Sequence, residues 1–302
     1  MPDIQIRFDK DMLVLSAPLK AVLARQGVDV ERDLEYMLLV EPEALRDTVR
    51  MEKIAGAQCL VAATEGIAPA RLAHKGMEGR ETELALAALG MLRPLKPQHL
   101  LAEIGPCGLP LDGSSADSLN ENRAQYARAA HAFDGQAIDA LLLTGFKRPD
   151  DLKCALMGLR QVTDVPVFAS VDVDAAGMLP DGRTSIEEAV AVMAEYGATV
   201  VGFESAAPED AVAAIARRAA AACDLPLCVQ LRVTRKDARQ DGPTEENPYY
   251  CADTMVTAAL ALRAAGVQFL RATGEASPAY TGALAAAVVG LDVVLPTDRE
   301  RA

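Results

Sequence analysis

The sequence predicts an α/β fold, a closed (β/α)8 TIM barrel, and three observations carry that prediction. Short aliphatic and β-branched runs alternate with Ala-rich helical runs along the 302 residues; this order marks parallel strands joined by crossover helices. Eight strand–helix pairs occur, the number a (β/α)8 barrel needs. No Gly-x-Gly-x-x-Gly follows the first strand, which counts against the dinucleotide-binding version of an open doubly wound sheet.

The strands are expected at Met12–Ser16, Gln58–Ala63, Leu100–Ile104, Ala140–Leu143, Val167–Val171, Thr199–Phe203, Leu227–Leu231 and Gln268–Ala272. They are rich in Val, Leu, Ile and Phe, as strands covered on both faces require. Helices are expected after them at Glu43–Ala55, Glu81–Leu92, Glu121–Phe133, Asp150–Gln161, Ile186–Tyr196, Glu209–Ala222, Asp253–Ala265 and Ala279–Val289. Thr184-Ser185-Ile186-Glu187-Glu188 sets hydroxyls before an acidic first turn, a helix start. Gly56, Gly197 and Gly266 each stand between a helical run and the next strand, where helices commonly stop. Two polar stretches break the alternation, Pro110–Ser118 and Thr234–Tyr250. In a barrel both lie on the face at the C-terminal strand ends, where active sites are built. The whole chain, 1–302, is thus expected to be one barrel with loop insertions near 110–118 and 234–250, and the tail Thr297–Ala302 is expected to fray.

Composition narrows the function. Hydrophobic residues make up 51% of the chain and aromatic ones only 4%, with no Trp, so the core is built from small aliphatic side chains. The formal charge is −13, from 30 Lys and Arg against 43 Asp and Glu. That sign opposes binding to nucleic-acid backbones and to anionic membrane surfaces. No apolar run approaches the roughly 18 residues of a membrane span, and the opening MPDIQIRFDKDM is charged rather than signal-like. A cytoplasmic protein with reduced thiols is expected. The cysteines (Cys59, Cys107, Cys154, Cys223, Cys228, Cys251) form no Cys-x-x-Cys pair, and Cys107 reads as a small buried residue. His74, His99 and His131 read as surface or capping residues.

The order and spacing of several segments resemble the homocysteine S-methyltransferase family. The segments are LVLSAPLK at Leu13–Lys20, the stretch 41–76, closest over Thr64–Leu72, AEIGPCG at Ala102–Gly108, LLTGF at Leu142–Phe146, GFES at Gly202–Ser205 and RATGEASP at Arg271–Pro278. The likeness spans about residues 10–292. It implies a barrel that transfers methyl groups, with a Zn²⁺ held by three thiolates, one after the sixth strand and two after the eighth. The matching positions here are Ser205, Thr273 and Gly274. Neutral hydroxyls and a Gly do not replace soft anionic ligands. The family's Glu in its Glu-Thr-Phe segment matches Thr144, and its opening Asp falls near Leu15. No zinc and no other tightly bound cofactor is therefore expected.

What stands at the strand ends is polar and carries both signs. Glu103 and Glu204 are the candidate catalytic carboxylates. Thr64, Glu65, Gly105, Pro106, Thr144, Asp172, Ser205, Arg232, Arg271, Thr273 and Glu275 are the candidate substrate-binding residues, with Lys147, Asp174 and Gln230 nearby. Either Arg can pair bidentately with a substrate carboxylate, and Glu103 or Asp172 can face an ammonium; equally, the same groups can form salt bridges that only tie loops together. Asp172 and Asp174 alternate around Val173, so they share a strand face or begin a turn. Two functions follow. One is a divergent methyltransferase that acts on a small substrate without zinc, its methyl donor (a corrinoid or a methyl-folate) brought by a partner such as a corrinoid protein. The other is an inactive relative serving as a ligand-binding or complex-forming subunit, whose acidic surface steers a basic partner. A Schiff-base aldolase would need Lys147 as its nucleophile.

Overall fold

The computed structural model describes residues 3–235 and 239–295. The tail Thr297–Ala302 and positions 236–238 of the long loop lie outside the described residues. Eight parallel strands close into a barrel in the order β1 to β8. They are β1 (Leu13–Leu15), β2 (Cys59–Ala62), β3 (His99–Ile104), β4 (Ala140–Phe146), β5 (Val167–Asp172), β6 (Val200–Ser205), β7 (Leu227–Val233) and β8 (Val267–Gly274). Closure is direct, with Leu13 on β1 in register with Phe269 on β8. The expected (β/α)8 barrel is the observed fold.

Period-two alternation splits each strand between two cores. One set of side chains meets the surrounding helices and forms the larger apolar cluster. The other set fills the lower barrel, where Leu13, Leu15, Cys59, Leu101, Leu142, Phe168, Cys228 and Phe269 are fully buried. Phe168 and Phe269 meet edge-on at 4.7 Å, and Phe8 meets Phe269 edge-on as well at 6.0 Å. A 3-10 turn over Asp3–Arg7 closes this end. Gln268 pins it, donating to the Arg7 carbonyl at 2.6 Å and to that of Asp11 at 3.1 Å. The apolar plug leaves only the opposite end, at the C-terminal strand ends, to hold polar groups.

The helices are α1 (Lys20–Arg25), α2 (Val30–Val40), α3 (Pro42–Ala55), α4 (Pro69–His74), α5 (Glu81–Leu92), α6 (Ala116–His131), α7 (Pro149–Arg160), α8 (Ile186–Glu195), α9 (Glu209–Ala222), α10 (Thr254–Ala264) and α11 (Pro278–Val288). Helices α1, α2 and α4 were not expected from the sequence; α1 and α4 are only six residues each, too short for a readable apolar period. Helix α6 starts five residues before the expected Glu121, because Ser115 caps it by accepting from the Ser118 N–H. The polar stretch Pro110–Ser118 is therefore partly helix. At α8 the expected start is a full capping box between Ser185 and Glu188. His99 departs from its expected surface position: it is 1% exposed, because as the first residue of β3 it shares the inward face of Leu101.

Candidate functional site

The mouth of the barrel is a cavity of about 520 Å³, within the range of small-molecule sites. Its wall includes Glu65, Glu103, Pro106, Thr144, Asp172, Glu204, Arg232, Arg271, Thr273 and Glu275. Thr64, Gly105 and Ser205 stand behind that wall. Thr64 bridges two strand ends, its hydroxyl donating to the Glu103 carbonyl at 2.8 Å and accepting from the Glu103 N–H at 3.1 Å. Gly105 donates its N–H to the Glu65 carbonyl at 3.0 Å, and a Cβ there would stand 2.7 Å from Glu65 Cγ. Its lack of a side chain is what lets Glu65 pack over the turn.

The deepest polar layer is built around Arg271. Its guanidinium donates to Glu103 Oε1 at 2.7 Å and Oε2 at 3.3 Å, to Gln230 Oε1 at 3.1 Å, and through Nε to the Ser16 carbonyl at 2.9 Å. Gln230 in turn donates to Ser170 Oγ at 2.9 Å and Thr144 Oγ1 at 3.3 Å. Arg271 is 1% exposed. Burial works against its charge, but the Glu103 carboxylate outweighs it and the guanidinium is held more firmly protonated than usual. This layer spans the barrel axis and ties β1, β3, β4, β5, β7 and β8 together.

Above it lies a second layer. Arg232 donates through Nε to Glu204 Oε1 at 2.5 Å and forms an ion pair through Nη2 with Asp172 Oδ2 at 2.9 Å. Thr273 donates to the same Glu204 oxygen at 2.9 Å. Two carboxylates on one guanidinium leave this triad one negative charge in excess. Burial pushes the Glu204 carboxyl up, and Asp172 adds to that, while Arg232 pulls it down; the net direction is up. Asp172 Oδ1 is buried and has no hydrogen-bond partner. Asp174 does not share this face: it lies in the turn beyond β5 and accepts from the N–H groups of Ala176 and Met178, each at 2.9 Å. The two carboxylates of the VDVD run thus have separate roles.

A third cluster forms the rim. Glu65 pairs with Lys20 at 2.6 Å and faces Arg71 at 3.5 Å. Burial opposes its charge, yet Lys20 brings its pKa below the usual range. Glu275 lies 3.7 Å from Arg25. Beneath the rim, buried Glu52 anchors the turn after β1 by accepting from the Ala17 N–H at 3.0 Å and the Thr281 hydroxyl at 2.6 Å. Lys20, Arg71 and Ser170 were not among the sequence candidates. Ser170 was legible, two residues before Asp172 on the same strand face. Lys20 and Arg71 sit in short helices after strands, with no local pattern to mark them.

The positions that resemble a zinc site do not fit the ion. Ser205 Oγ accepts from the Ala207 N–H at 3.2 Å, Thr273 is spent on Glu204, and Gly274 has no side chain. Zinc sites need several Cys, His or carboxylate donors at about 2.0–2.3 Å. Among the described residues no group of three His, Cys, Asp or Glu side chains can hold a metal ion. Cys107 is buried, with Sγ against Asn122 Oδ1 at 3.1 Å, and burial pushes its thiol pKa up.

The fold is similar to that of the homocysteine methyltransferase MmuM from Escherichia coli. The oxidized form aligns with a TM-score of 0.75 at 19% identity, covering 91% of this chain and 96% of that one. The metallated form aligns at 0.73 and 19%, with the same coverage. The carboxyl transferase domain of Rhizobium etli pyruvate carboxylase aligns at 0.58 and 12%, covering 98% of this chain and 46% of that one. No curated protein sequence matches the chain significantly. The sequence profile of the homocysteine S-methyltransferases matches residues 14–288, from β1 to the end of α11. On that match the chain belongs to the homocysteine S-methyltransferase family.

Proposed function

We propose that the mouth binds a small polar substrate and that the chain transfers a methyl group to or from it without zinc. The observation that carries this reading is Asp172 Oδ1, an unpartnered carboxylate oxygen buried at the wall of a cavity sized for a metabolite. A buried acceptor without a partner is costly, and a substrate ammonium or hydroxyl offsets that cost. The excess negative charge of the Asp172–Arg232–Glu204 triad favours a positive group there. Arg271 and Glu103 satisfy one another, so they shape the floor rather than hold the ligand.

Glu204 is the proton acceptor in this reading. Both of its hydrogen bonds fall on Oε1, and its raised pKa brings it closer to neutral pH, where a general base works best. It takes the proton from the substrate's nucleophilic atom as the lone pair on that atom bonds to the methyl carbon. A methyl donor carried by a partner protein, a corrinoid or a methyl-folate, would supply the methyl group, and the bond from that carbon to the donor would break with its electron pair left on the donor. The test is calorimetric titration with L-homocysteine, then turnover with methylcobalamin as donor. Asp172→Asn should weaken binding about tenfold or more, near 1.4 kcal/mol. Glu204→Gln should keep binding and lose turnover. Equal binding by wild type and Asp172→Asn removes the reading. Binding without homocysteine consumption favours the second function, a ligand-binding or complex-forming subunit, which the pairing of Arg271 with Glu103 in the floor also supports.

A further inference from the structure

The space and charge at the metal-like positions have another owner. Arg232 lies between the carboxylates of β5 and β6, ion-paired with Asp172 Oδ2 at 2.9 Å and hydrogen-bonded to Glu204 Oε1 at 2.5 Å. Thr273, which resembles one thiolate position, donates to that same Glu204 oxygen. Its hydroxyl and Arg232 Nε therefore converge on one atom. Gly274, which resembles the next thiolate position, has φ of 63°, and a Cβ there would stand 3.0 Å from Arg232 Cγ and overlap the Val233 carbonyl oxygen. A side chain at 274 thus overlaps the Val233 backbone and crowds the stem of Arg232, and the guanidinium beyond that stem already bridges both carboxylates.

We propose that Arg232 is a built-in cation that takes the metal's place in this mouth and excludes a divalent ion from it. The missing thiolates and the guanidinium are then one coupled change: without Arg232, Asp172 and Glu204 would be two buried like charges, and with it the one remaining negative charge does not hold a divalent ion. A guanidinium keeps its charge at any physiological pH, so the exclusion is permanent. Removing Arg232 exposes an oxygen-donor set of Asp172, Glu204 and the Thr273 hydroxyl, to which the unpartnered Asp172 Oδ1 already belongs. Oxygen donors of this kind suit a hard divalent ion such as Mn²⁺, and a thiolate at 273 shifts the set toward Zn²⁺. The inference does not depend on methyl transfer.

The experiment uses the full chain after chelator treatment, titrated with Mn²⁺ and Zn²⁺ by calorimetry, with thermal melts in parallel. Wild type should show no saturable site for either ion. Arg232→Met should bind Mn²⁺ at least about tenfold more tightly than wild type and melt higher in its presence, since an ion held only by the folded state stabilises it. Thr273→Cys alone should gain no Zn²⁺ site, whereas Thr273→Cys with Arg232→Met should take one Zn²⁺ per chain. Arg232→Gln, which keeps polar contacts without the charge, replaces Arg232→Met if that variant does not fold. Wild type binding one ion per chain and losing it in Asp172→Asn would overturn the proposal. So would folded Arg232→Met or Arg232→Gln that gains no affinity.

Discussion

Replacing Arg271 with Met tests the account of the barrel floor. The Met fills much of the aliphatic volume and removes a guanidinium that makes four hydrogen bonds to Glu103, Gln230 and Ser16. Glu103 is 5% exposed and would be left as an uncompensated buried carboxylate, with Gln230 Oε1 and the Ser16 carbonyl short of a donor. Breaking a buried pair by removing one partner costs about 3–5 kcal/mol. At roughly 2 °C of melting temperature per kcal/mol for a chain of this size, the fall is about 6–10 °C. Urea unfolding followed by circular dichroism reads the same loss as a lower midpoint at unchanged slope. Glu103→Leu combined with Arg271→Met should recover much of the loss, because apolar packing then replaces the whole pair. If Arg271→Met unfolds within about 1 kcal/mol of wild type, or if the double variant loses the sum of the single losses, the pair is not the strut described here.

The other expectations are narrower. Gly274→Ala should cost about 1–3 kcal/mol in the same urea assay, because its Cβ would overlap the Val233 carbonyl at positive φ, whereas Gly27→Ala, also at positive φ but in open space, should cost about 1 kcal/mol. Ser185→Ala should cost about 1 kcal/mol by removing the α8 cap. Glu187 is held at about 2 by its paired hydrogen bonds from Arg218, at 2.6 and 2.8 Å. Its folded pKa lies below the unfolded one, so its contribution is full above the ordinary carboxylate range and is lost as pH falls toward about 2. Glu187→Gln should therefore flatten that part of the stability–pH curve, by less than about 1 kcal/mol because the pair is partly exposed.

Local signals carried much of the fold. Helix α9 runs over the expected Glu209–Ala222, since its acidic first turn and apolar stripe are contained in its own residues. Strand ends were legible for the same reason: alternation along β5, β7 and β8 places Asp172, Arg232 and Thr273 one pleat above Ser170, Gln230 and Arg271. His99 misled because its polarity outweighed its strand position, and α1 and α4 because a helix of six residues has too few turns to show a period.

The sequence by itself determined the barrel, the family, and the charged side chains at the strand ends, because periodicity and motif order are properties of neighbouring residues; Lys20 and Arg71, in short helices, it did not mark. The tertiary structure alone decided which of those charges are free. Arg271 and Glu103 are 168 residues apart and meet only because β8 and β3 face each other across a closed barrel. Arg232 meets Glu204 across 28 residues and also reaches Asp172. Coulomb pairing depends on distance in space, and ring closure sets that distance. It turned six carboxylates and five cations along one wall into a sealed floor, a bridged triad, and one unpaired oxygen on Asp172.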